Sequence, residues 1–138
     1  MKIASKDIAN RAKILIATTL KPVDDSRYFH KIGKSLSANY YVYGFGFQAK
    51  AKNNVPLFYK GFKEFYFKKR FSLKRFLLPL LLIIYAFRCK PKLIIVGSIE
   101  LLFAALIIRL FLRTRIIYDV SENYYRNIKY QNNYPKFI

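Results

Sequence analysis

At 138 residues the chain has the length of one ordinary domain. Apolar residues make up 54% of it, enough for a full core, which excludes intrinsic disorder. Lys and Arg number 26 against 7 Asp and Glu, for a formal net charge of +19. A folded surface repels itself at that charge, so a polyanion is expected opposite it, either lipid head groups or nucleic acid. The single cysteine, Cys89, excludes an internal disulfide and a cysteine-only zinc site and fits a reducing cytosol.

Residues 1–12 show no clear period and read as a tail. Their cations, Lys2, Lys6 and Arg11, are interrupted by Asp7, and the apolar run 14–20 is too short for a signal-peptide core. Two later stretches are greasier, 76–87 (FLLPLLLIIYAF) and 99–112 (IELLFAALIIRLFL). As helices they reach about 18 and 21 Å, short of the ~30 Å hydrocarbon layer. The second also holds Glu100 and Arg109, each costly at mid-bilayer. The sequence therefore favours a protein that lies on a membrane over one that spans it. Two short apolar helices forming a re-entrant pair are a competing reading.

In chain order, residues 13–18 (KILIAT) form a continuous β-branched run, the pattern of a strand buried on both faces. Asp24, Asp25 and Ser26 offer N-cap chemistry, and Tyr28, Phe29, Ile32 and Leu36 recur at helical spacing up to about Ser37. The aromatic run 40–47 (YYVYGFGF) is a second strand, which completes a strand–helix–strand unit. Residues 55–58, with Pro56, suit a short edge strand, and 61–67 a third full strand. A helix over 72–89, bent at Pro79, is followed by a strand over 92–96, a helix over 99–112 and a strand over 115–120. Residues 13–125 are thus expected to form one α/β domain, a doubly wound parallel sheet of Rossmann-like type, with 126–138 a C-terminal tail where the chain is cut short.

In such folds the ligand crevice lies beyond the carboxyl ends of the strands. Asp24 and Asp25 follow the first strand, Glu100 the fourth, and Asp119 and Glu122 the fifth, so most of the scarce acids are expected at one rim. Helix capping accounts for part of this, since Asp25 and Glu100 sit where first-turn acids are favoured anyway. Gly44-Phe45-Gly46 is a G-x-G without a third glycine or a following helix, and reads as backbone freedom at a strand end. His30, the only histidine, falls beyond the first helical turn beside Lys31 and reads as an exposed helix residue, not a general base. Cys89 reads as a structural thiol, and Asp24 with Asp25 lack a third ligand for a metal.

Residues 13–46 and 92–125 together resemble the N-terminal, acceptor-side domain of GT-B glycosyltransferases. The closer likeness is to the bacterial "group one" enzymes that build cell-surface polysaccharides. An opening strand, a proline-containing loop and a D-x-R helix start match at Pro22 and Asp25-Ser26-Arg27, and a Leu- and Ala-rich helix leads to a strand ending Y-D-x-x-E at Tyr118, Asp119 and Glu122. The two blocks cover about half the chain. The chain departs from the family pattern at Gly97 and Ser98, where relatives often carry a His and an acid, and at Ser121, where His is common. The resemblance implies an acceptor pocket drawn from Asp24, Asp25, Arg27, Glu100, Asp119, Ser121 and Glu122. It implies no cofactor in this chain and no metal. The nucleotide-sugar donor would bind a C-terminal domain, which could be encoded separately, and this chain would be inactive alone.

The strongest binding signal in the residues themselves is basic and aromatic. Lys63, Lys68, Lys69, Arg70, Lys74 and Arg75 interleave with Phe62, Phe65, Tyr66, Phe67 and Phe71. Rings that enter the head-group region beside cations that meet anionic lipid suit the inner face of a cell membrane. The resemblance agrees, because these transferases often act on lipid-linked acceptors there. A nucleic-acid-binding module is the main competing reading, and the long apolar strands and helices argue against it.

Overall fold

The computed structural model describes residues 11–22, 25–47, 56–65 and 73–120. Five strands form one sheet in the order β3-β2-β1-β4-β5: β1 Lys13–Pro22, β2 Tyr41–Phe47, β3 Gly61–Phe65, β4 Leu93–Val96 and β5 Arg115–Tyr118. Every neighbouring pair is parallel. At the centre, Ile16 of β1 lies opposite Gly44 of β2 and Ile95 of β4.

The β-branched run predicts the central strand because both faces of β1 are covered. Leu15 and Ala17 enter one core with Phe45, Ile94 and Val96, while Ile14 and Ile16 enter the other with Tyr28, Phe29, Val42 and Ile95. The strand runs on past Thr18 to Pro22, which pairs with Phe47 after a register irregularity that accommodates the proline.

Helix α1 (26–37) covers the second core. Its first part, Ser26–Ile32, is wound wider than an α-helix, and the N–H groups of both Phe29 and His30 reach the Asp25 carbonyl, at 3.2 and 3.3 Å. Gly33–Ser37 then continues as α-helix. The opposite core is covered by two helices. A 3-10 turn, Leu73–Leu77, leads into α2, Leu78–Cys89, and another, Ile99–Leu101, leads into α3, Leu102–Leu112. Pro79 lies in the first turn of α2, where its missing N–H costs no hydrogen bond. It starts that helix and does not bend it. Both helices end on a non-glycine residue in the left-handed conformation, Lys90 (φ 51°) and Arg113 (φ 53°).

Two further expectations are corrected. Pro56 to Phe58 make a turn and not an edge strand: Tyr59 N–H donates to the Pro56 carbonyl at 3.2 Å, and Lys60 N–H to Val42 at 2.9 Å, which sets up β3. Gly44 and Gly46 also have another role, since no described glycine has a positive φ. They are small because rings occupy the space above them. A Cβ on Gly46 would sit 2.7 Å from Phe29, and one on Gly44 would run into the Phe62 ring.

Connections through α1 lead from β1 outward to β2, and those through α2 and α3 lead the other way, to β4 and β5. The chain is therefore α/β with a doubly wound, Rossmann-like parallel sheet. Its topological switch point lies between β1 and β4.

Candidate functional site at the carboxyl rim of the sheet

Beyond the Ala17–Val96 pair, β1 continues as strand while β4 passes into a loop, and polar side chains hold the two segments together. Ser98, buried directly after β4, accepts the Thr19 N–H at 2.9 Å, and its Oγ lies 3.0 Å from the Thr18 hydroxyl. Thr19 Oγ1 donates to Glu100 Oε2 at 3.3 Å. Arg75, from the turn before α2, binds the same carboxylate twice: Nε donates to Oε2 at 2.8 Å, and Nη2 to Oε1. Paired charge-assisted bonds of this kind fix both side chains.

A second cluster lies across the rim. Asp25 caps α1 by accepting the backbone N–H groups of Arg27 and Tyr28, at 3.1 and 2.8 Å. The Arg27 guanidinium then crosses to Asp119, with Nη2 at 2.9 Å from each carboxylate oxygen. Tyr28 is buried between the two blocks. Its ring lies over Gly97, where a Cβ would come within 2.9 Å, and its hydroxyl donates to the Asp119 carbonyl at 3.4 Å. The Asp119 N–H in turn donates to Val96 at 2.9 Å, which continues the ladder one residue beyond β5.

The structure thus brings Asp25, Arg27, Glu100 and Asp119 to one rim, each engaged by a specific partner. Chemically the rim offers carboxylate oxygens that can accept from a hydroxyl, flanked by fixed guanidinium groups. Asp24, Ser121 and Glu122 lie outside the described residues, as do Lys68, Lys69, Arg70 and Phe71 of the basic aromatic segment. Of that segment Lys63 is exposed on β3, and Lys74 belongs to the turn before α2. Arg75, grouped with the membrane-facing cations on sequence, binds Glu100 at the rim instead. His30 is exposed on α1. Cys89 is buried, and burial pushes its thiol up to about 11, which leaves it protonated and unreactive at neutral pH. Among the described residues no three His, Cys, Asp or Glu side chains gather as a metal site would need.

Sequence reasoning missed the opposite rim. There an open groove of about 550 Å³ is lined by Arg109, Arg113, Thr114, Arg115 and Ile116. The signal was present as the spacing of three arginines between a helix and the following strand. No protein-family model, curated protein or solved structure matches the chain.

Proposed function

We propose that this chain is the acceptor-side domain of a nucleotide-sugar-dependent glycosyltransferase that builds cell-surface polysaccharide or a lipid-linked glycan, working at the inner face of the cell membrane. The observation that carries the reading is the Asp25–Arg27–Asp119 arrangement, in which residues from the two resembling blocks meet at the carboxyl rim. Acids from distant parts of a strongly basic chain lie where this fold class binds ligands. An acceptor sugar would donate a hydroxyl to Asp119 while Arg27 holds that carboxylate in place. Glu100, fixed by Arg75, would serve a second hydroxyl. The donor diphosphate needs cationic or helix-N-terminal stabilisation from a second domain facing this rim. The described residues offer no helix of the length to cross a membrane, so lipid-linked acceptors would be met from the surface.

The test combines this chain with donor-binding domains of the same family and measures sugar transfer to polyprenyl-diphosphate-linked acceptors. Transfer should depend on both pieces and fall at least about tenfold with Asp119→Asn, the loss of one charged hydrogen bond. Absence of transfer in every pairing, or nucleotide-sugar binding by this chain alone, would overturn the proposal. Oligonucleotide binding that weakens steeply with salt would favour a nucleic-acid module instead.

A further inference from the structure

Helices α2 and α3 are apolar on both sides, although the sheet needs only one side of each. Their inner faces, Leu78, Leu82 and Ala86 on α2 and Ala104, Ala105 and Ile108 on α3, pack fully into the core. That packing makes them a layer of the α/β domain. Their outer faces carry Leu80, Ile84 and Phe87 on α2 and Phe103, Leu106 and Leu110 on α3, all exposed. Phe103 keeps 71% of its surface in solvent and Leu110 77%, values more typical of a surface lysine. Phe87 and Phe111 meet with ring centroids 6.1 Å apart, which joins the two stripes into one patch. A helix that is apolar all round is normally covered on every side, and patches of this kind mark interaction sites.

The charges around the patch indicate what covers it. Where the two helices end, Arg88, Lys90, Arg109, Arg113 and Arg115 gather, and no described acid lies among them. Glu100, at the other end of the patch, is bound by Arg75. A second copy docked with its helices running in the same direction would bring the same cations against each other within a Debye length. A donor domain would close over the carboxyl rim and leave this side face open. An apolar layer beneath anionic groups matches both the patch and its cations.

We infer that the outer face of α2 and α3 is a docking surface for an anionic lipid bilayer, with both helices lying in the plane of the interface. The inference rests on the membrane placement proposed above and assigns it to a different surface from the basic aromatic segment. Exposed rings and leucines enter the acyl boundary, and the arginines at the helix ends meet phosphate.

Flotation of the full chain with phosphatidylcholine vesicles, with and without phosphatidylglycerol, tests this. The chain should float only with the anionic vesicles. Phe103→Ser with Leu110→Ser should weaken binding by about tenfold or more, and Arg113→Gln by about fivefold. Folding stability should stay unchanged in the serine variant. If the wild type ignores anionic vesicles, both the membrane placement and this surface are wrong. If the wild type binds and the serine variant binds equally, while Lys68→Ser with Arg70→Ser abolishes binding, the placement stands and this surface is wrong. A serine variant destabilised like a core variant would show that the chain covers the face itself. A vesicle-free dimer in ultracentrifugation that the serine variant dissolves would assign the face to a second copy.

Discussion

At the carboxyl rim of the sheet, Asp25, Glu100 and Asp119 are each bound by an arginine or by the start of a helix. At the amino rim, Lys90, Lys92, Arg109, Arg113 and Arg115 stand together, and no described acid lies among them. Topology produces the contrast. All strands run one way, so helices α2 and α3 both end at the amino rim, where their carbonyl ends favour cations. Paired charges hold geometry at the first rim. At the second, where no described acid pairs with them, the cations repel each other.

That difference predicts unequal responses to mutation. The largest effect should come at the carboxyl rim from Gly97→Ala, which sets a methyl against the Tyr28 ring that joins the two blocks. We expect a loss of about 1–3 kcal/mol in urea unfolding, the usual range for overpacking. Arg75→Ala should come next, at about 1–2 kcal/mol, because it strips a partly buried Glu100 of two charge-assisted bonds. At the amino rim the sign should reverse. Arg113 sits at φ 53°, so Arg113→Gly should stabilise the fold by about 1 kcal/mol while removing a cation. A loss of stability there would mean that this arginine, too, is structurally paired. Arg27→Ala should cost under about 1 kcal/mol, since its side chain is 56% exposed, and the cost should fade in molar salt.

The last effect, absent at neutral pH, concerns Cys89. The unfolded thiol ionises from its ordinary value of 9.0, and the folded one keeps its proton to about 11. Between those values the native state binds more protons than the unfolded one, so stability falls as pH rises. Below pH 9 the group contributes no slope. Wild type should therefore lose stability more steeply than Cys89→Ala across that window.

Much of the fold was legible in the sequence. The run KILIAT was long enough and branched enough to announce a strand covered on both faces, and β4–α3–β5 followed its periodicity to within a few residues. Gathering Asp25, Glu100 and Asp119 at one rim needed only strand direction. What the sequence hid was tertiary. Nothing in G-F-G distinguishes free backbone from backbone crowded by Phe29 and Phe62. Arg75 belonged by neighbourhood to a basic segment, and only the turn before α2 directs it to Glu100, 25 positions away. The exposed side of α3 could not be separated from its buried side, because both are Leu, Ile, Ala and Phe.

The account stands on β1 and β4 being parallel neighbours in the stated register, since that pairing gathers the rim. In the Cys89→Ala background, Thr18→Cys combined with Ser98→Cys places two thiols where the hydroxyl oxygens lie 3.0 Å apart. Mild oxidation should close an intramolecular disulfide in nearly all molecules, read by intact mass and by a fast-migrating monomer band. Free thiols, or cross-linked dimers alone, would contradict the shared sheet and, with it, the site proposed at its rim.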